Sequence, residues 1–290
     1  MQKIKILLLV SFVALATIDI YGQEVMRPPK YHEDGVYKKE NTHSRKPVSY
    51  PTLREADVMW SKRVWRTIDL REKINFPLYY PDAEIADRKS LFDVIIEAAT
   101  KTGTITCFAQ PATDDEFHYD MTKSEVEGML VKWDSTHQTE DPNNPGTMIT
   151  APTKNVTSTD KVWQYWIKED WFFDKQRSVL DVRIIGLCPL IEKKTESGES
   201  TGASTPLFWI YFPDARPIFA NNEVYMRHND AERRTFEDIF YKRMFSSYVR
   251  KESNVYDRGI YDYKTGLDQL LESERVKNDI FTFEHDLFHF

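Results

Sequence analysis

Residues 162–190, VWQYWIKEDWFFDKQRSVLDVRIIGLCPL, constrain the fold more than any other stretch, because their pattern sets a pairing register as well as two strands. Trp163, Tyr165, Ile167, Trp171 and Phe173 fall on one side of a period-two ladder, with Glu169 the single polar residue among them. After the polar turn Asp174-Lys175-Gln176-Arg177, the residues Leu180, Val182, Ile184 and Cys188 fill one side of the next run, while Asp181 and Arg183 take the other. Closing the turn by pairing Asp174 with Arg177 sets Trp171 opposite Leu180, Ile167 opposite Ile184, Tyr165 opposite Gly186 and Trp163 opposite Cys188. A slip of one residue would bring Asp181 and Arg183 against the tryptophans, so the hydrophobic pattern enforces the register. The expected core of this hairpin is Trp163, Tyr165, Ile167, Trp171, Leu180 and Ile184. Its other face is expected to be wet, with Lys168 diagonal to Asp181 and Asp170 diagonal to Arg183.

The remainder of residues 53–265 reads as one α+β domain, with several helices packed on an antiparallel sheet of at least three strands. Met59, Trp60, Val64, Trp65 and Ile68 recur at steps of three and four, which predicts a helix from about Leu53 to Lys73. A second helix is expected over 89–102, started by Ser90 with Asp93 three residues on and stopped by Gly103. A strand over 104–109 and a third helix from Thr122, capped by Glu125, precede the hairpin. Residues 134–161 and 192–205 are polar and are expected to be surface loops. LFWIYF at 207–212 is apolar on both faces and predicts a central strand, with 218–220 extending the sheet. A long helix is expected over 234–252. The last stretch, 266–290, is expected to be a tail with a short helix through Leu270 and Leu271.

At the N-terminus, Lys3 and Lys5 precede an apolar run from Ile6 to Ala16 that is too short to span a bilayer, so residues 1–22 read as a secretory signal peptide cut after Gly22. No cysteine near the cut offers a lipid anchor, and the mature chain is expected to be soluble and exported. Residues 23–52, with Pro28, Pro29, Pro47 and Pro51, read as an extended arm that Tyr31, Val36, Tyr37 and Tyr50 could dock on a neighbour. The formal net charge of −7 becomes −8 once the leader's two lysines and one aspartate are removed, which argues against nucleic acid and against an anionic membrane surface. Cys107 and Cys188 are the only cysteines; in an oxidising compartment they could close one bridge, and two buried thiols fit the sequence equally well.

Few residues suggest chemistry. His285 and His289 lie one helical turn apart around Asp286, the spacing of a zinc site, but no third ligand accompanies them and they sit at the chain's last residues. Glu169, Asp170 and Asp174, beside Trp163, Trp166 and Trp171, could suggest a glycan-binding cleft or a glycoside hydrolase, with Glu169 and Asp170 as the adjacent pair. Neighbours on a strand point to opposite faces, so these two carboxylates cannot converge on one bond. Glu169, on the apolar side, would need an arginine or a backbone donor. No phosphate loop, nucleophile elbow or activated thiol is visible, and no cofactor is expected.

The stretches DVMWSKRVWRTIDLREKINFPLYYP, WIKEDWFFDKQRSVLDVRIIGLCPL, LFWIYFPDARPIFANNEVY and RTFEDIFYKRMFSSYVRKESNVYDRGI together resemble the GldN/PorN family of the type IX secretion and gliding-motility apparatus. The resemblance covers roughly 53–260 and does not separate GldN from its close paralogue GldO. It implies a periplasmic protein without catalytic residues, held at the inner face of the outer membrane by a lipoprotein of the GldK/PorK type. With that lipoprotein it would assemble into large rings that meet the periplasmic shaft of the GldL/GldM motor, a shaft of the GldM/PorM type. It assigns no individual residue to a contact.

Overall fold

A computed structural model describes residues 44–287 except 86–87, 110–114, 135–137, 141–147, 151–152, 158, 195–199, 227–228 and 230. The expected leader, most of the arm including Tyr31, Val36 and Tyr37, and His289 lie outside the described residues. The described residues belong to one compact unit, His43–Phe290.

The first element, β1 (Val58–Asp69), is a strand where the periodicity predicts a helix. Trp60, Val64 and Ile68 step by four, a spacing common to both periods, and the β-branched and aromatic residues of this run suit an extended backbone flanked on both sides. The short α1 (Phe76–Tyr79) follows, then α2 (Leu91–Ile96). Ser90 caps α2 by accepting from the Asp93 amide, the helix continues with π-type turns over Glu97–Thr102, and Gly103 ends it with φ +64°. Next come β2 (Cys107–Phe108), β3 (Asp120–Met121) and α3 (Lys123–Leu130), which opens with a reciprocal cap between Thr122 and Glu125.

β4 (Val131–Asp134) follows directly, and the stretch expected to be one long loop contains three more short strands, β5 (Gln138–Glu140), β6 (Met148–Thr150) and β7 (Thr153–Val156), paired β4 with β7 and β5 with β6. The central pair is β8 (Val162–Asp174) and β9 (Val179–Lys194). The second expected loop is in part a strand, β10 (Ser200–Pro206), paired back on β9. The expected strand at 207–212 is shorter: β11 (Trp209–Tyr211) gives way to α4 (Phe212–Asn221), because Pro213 sits in the first helical turn, where its missing amide costs nothing. Residues 218–220 are therefore helix and not sheet.

The long helix expected over 234–252 is also divided. Thr235 and Asp238 cap α5 (Phe236–Tyr241), Arg243 turns the chain with φ +52°, and β12 (Tyr248–Glu252) is a strand. The tail carries α6 (Leu267–Leu287), 21 residues long.

Among the described residues, eight strands form one antiparallel sheet ordered β12-β1-β8-β9-β11-β2-β3, with β10 also on β9. The β8–β9 hairpin differs in register from the expectation. Its turn holds four residues, 175–178, with Ser178 at φ +52°, so Asp174 pairs with Val179, Phe173 with Leu180 and Trp171 with Val182. A shift of two leaves the faces unchanged, but Ile185 is an extra residue between the pairs Glu169–Ile184 and Lys168–Gly186. Beyond this bulge Ile167 pairs with Leu187, and Cys188 moves to the opposite face, across from Trp166. Trp163 is itself the extra residue between Val162 and Gln164; it is half-buried under the Arg71 guanidinium, 4.5 Å from its ring centre, and not in the hairpin core.

The helices cover one face in two patches. Tyr165, Ile167, Ile184 and Leu187 pack with residues of α2, Phe212 and Phe219 of α4, and Phe236 and Phe240 of α5. Each fully buried phenylalanine contributes about 2–3 kcal/mol through apolar burial. Toward the hairpin tip, Val64, Val249, Val276 and Ile280 form a smaller cluster, joined by half-buried Trp171, Leu180 and Trp60. Trp60 stacks on Phe283 of α6 at 4.4 Å. α6 also caps the sheet border, where the Val249 amide donates to Ser273 Oγ at 2.8 Å.

Candidate functional site

The carboxylates that the sequence singles out do not converge. Glu169 is fully buried, with Arg243 Nη2 at 2.9 Å from Oε1 and 3.1 Å from Oε2, and it accepts from Trp171 Nε1 at 3.2 Å. Its charge is thus met by an arginine, as burial demands. Asp170 faces the other way and pairs with Arg63 through two bonds of 2.6 and 2.8 Å. Two carboxylates on opposite faces, each already matched, form no acid and base pair for glycoside cleavage.

His285 sits exposed in the last turn of α6, 3.7 Å from Asp286. No group of three or more His, Cys, Asp or Glu among the described residues could hold a metal ion. Cys107 and Cys188 are both free and buried, so the bridge that two cysteines could close is not formed. Burial pushes the Cys107 thiol up to about 12 and raises Cys188 as well, leaving both far from thiolate reactivity.

The face expected to be wet is instead aromatic and cationic. Trp65, Cys188 and Trp209 form a buried cluster there, with Phe108, Phe117 and Trp166 packed against it. Gly186 makes room for Phe117, whose ring would lie 2.6 Å from an added Cβ. Lys168 is buried beside these rings, 5.3 Å from the centre of Phe117, and donates to the Asp115 carbonyl at 2.9 Å and its Oδ1 at 3.1 Å. Trp65 Nε1 donates to the other Asp115 oxygen. The expected diagonal partners are not used: Lys168 takes Asp115 and leaves Asp181 to Arg177. Arg183, directly opposite Asp170, stacks on Phe172 and Tyr50.

Two further arrangements escape the sequence pattern. Tyr50, expected to reach a neighbour, rests on its own chain, 3.8 Å beneath the Arg216 guanidinium and 5.0 Å from that of Arg183. Arg216 is held by Glu237 and donates to the Val48 carbonyl, and Arg183 donates to that of Pro51 at 2.6 Å. Burial raises the Tyr50 hydroxyl's pKa against the opposing pull of Arg216.

The other is Arg250, the extra residue of a bulge where Trp65 pairs with Lys251 and Arg66 with Val249. Its guanidinium lies 3.5 Å from the Trp166 ring centre and 5.6 Å from that of Tyr261, and burial lowers its pKa. It lines a cavity of about 650 Å³ together with Trp166, Ser204, Tyr248, Tyr261 and Leu270. Bulges leave no periodic trace, and residues 248–252 read as helix from their spacing, so only the ring-plus-arginine composition of the region could have pointed here.

Fold and side chains define an α+β protein whose long antiparallel sheet is covered by helices on one face and by matched rings and cations on the other. A family model described as "Gliding motility associated protein GldN" matches residues 53–289. The chain therefore belongs to the GldN family of gliding-motility-associated proteins. A search of curated proteins finds no match.

Proposed function

We propose that this chain is a non-catalytic structural subunit of the type IX secretion and gliding-motility machinery. It works in the periplasm after removal of its leader, bound at the inner face of the outer membrane through a lipoprotein of the GldK/PorK type. Copies associate with one another and with that lipoprotein in a ring, which transmits force from a periplasmic shaft of the GldM/PorM type. The observation that carries this reading is the family match over 53–289. The internal pairing of Glu169 with Arg243, of Asp170 with Arg63 and of Lys168 with Asp115 agrees with it, since these charges serve packing.

A tagged chain drawn gently from detergent-treated envelopes, read by mass spectrometry and negative-stain imaging, tests the proposal. The expected result is co-purification with the lipoprotein in particles far larger than one subunit, with secretion and gliding lost together on deletion. A solitary monomer, retention on glycan resin, or intact secretion without this chain and any paralogue would overturn it.

A further inference from the structure

Three of the ring-stacked arginines of this protein are also matched by a carboxylate. Arg71, Arg216 and Arg243 each lie over an aromatic ring and each also meets a carboxylate, Asp69, Glu237 and Glu169 respectively. Arg250, like Arg183 and Arg258, meets rings and no carboxylate among the described residues; it also hydrogen-bonds Tyr261, is half-buried and lines the cavity. The rim adds apolar surface: Tyr261 and Leu270 are 56% and 55% exposed, and Leu267 and Leu271 lie within one turn of Leu270 and are more exposed still. A half-buried cation flanked by rings and bordered by exposed leucines has the composition of a protein docking pocket, with the arginine and aromatics as its anchors.

The chain contains a segment of matching chemistry. Residues 31–37, YHEDGVY, set Glu33 and Asp34 between Tyr31 and the pair Val36 and Tyr37. They lie upstream of Tyr50, the point at which the chain is clasped to its own body by Arg216 and Arg183. From Glu33 to Ser44 the tether is 11 residues and reaches about 35 Å when extended. That length is enough to cross to an adjoining molecule.

We infer that the Arg250 cavity of one copy receives residues 31–37 of a second copy, with Glu33 or Asp34 on the guanidinium and the flanking aromatic side chains against Tyr261 and Leu270. This deepens the proposed function, since it rests on the self-association assigned there and names the surface and the segment that carry it. An acidic stretch of one molecule meets a cationic pocket of another, and the contact propagates where each arm reaches a third copy instead of being exchanged within a pair.

The test uses the mature chain, residues 23–290, in two complementary forms studied by sedimentation. One carries Glu33→Gln with Asp34→Asn; the other carries Arg250→Gln, and Leu270→Glu at the exposed rim serves as a second pocket variant should Arg250→Gln fail to fold. Each alone should associate at least about tenfold more weakly than the unaltered chain. An equal mixture of the arm and pocket variants should form one-to-one dimers, because one intact pocket then faces one intact arm. Variants that associate like the unaltered chain would overturn the inference, as would a mixture that restores nothing. Loss of lipoprotein co-purification would sink the ring reading without changing these sedimentation results. Envelope particles of normal size from cells making only Arg250→Gln chains would sink this inference alone.

Discussion

The two faces of β8 are buried by different physics. On one, Tyr165 and Ile167 meet α2, α4 and α5 in a continuous apolar cluster, and their stability comes from area removed from water. On the other, Trp166 and Lys168 share a layer in which rings are covered by cations, and the ammonium is tolerated because Asp115 reaches it. The difference teaches that alternation identifies two faces but does not say which is dry. A polar residue every second position can be solvated, or it can be the partner of a ring and a distant carboxylate.

The comparison breaks first where apolar burial is greatest. Tyr165→Ala should lower unfolding free energy by about 3–5 kcal/mol in urea titration, and a loss under about 1 kcal/mol would remove Tyr165 from the packed face. On the opposite face, Asp115→Ala should cost about 3 kcal/mol by stranding the Lys168 ammonium, whose side chain is 3% exposed. Adding Lys168→Met should recover most of that loss; a double variant as unstable as the single one would show that the pair is not what holds this face.

Trp171→Ala probes the border between the two regimes. Half-buried in the smaller cluster and stacked under Arg243, it should cost about 2 kcal/mol, clearly less than Tyr165→Ala in the same assay. Acid titration samples the charges directly. Hydrogen bonds from Lys89, Arg177 and Arg275 hold Glu97, Asp174 and Glu272 below their ordinary range. Their contribution is complete above the unfolded values and lost as pH falls through the depressed ones, so the urea midpoint should decline below about pH 4. Glu237, raised by burial, acts with the opposite sign: its share is present at low pH and lost as pH rises through its elevated value. A midpoint that climbs on acidification would mean that Glu237 outweighs the three. The smallest effect belongs to reductant, which should leave the melting temperature unchanged because Cys107 and Cys188 are free.

Local chemistry was legible in the sequence, and long-range geometry was not. The caps at Ser90 and Thr122 and the stop at Gly103 use residues within a few positions of each other, so their reading needs no partner. The strand at Val58–Asp69 was hidden because a step of four satisfies helix and strand alike. The hairpin faces near the tip were legible from alternation, whereas the true pairs depended on a left-handed Ser178 and an inserted Ile185 that no periodicity announces. Glu169's need for a cation followed from its place among aromatics, but its donor, Arg243, lies 74 residues away beyond two elements misjudged in length. The Arg250 cavity needs a bulge, a strand border and α6 at once, which explains why single-residue patterns missed it.

The hydroxyl that α6 lends to the outer rim of β12 also limits how copies of this molecule can meet. With the outward amide of Val249 already satisfied by Ser273, an incoming backbone finds no free donor at that position. Crowded molecules are thereby turned away from zippering main chain to main chain along this border, so that dense assembly need not slide into fibrous aggregation.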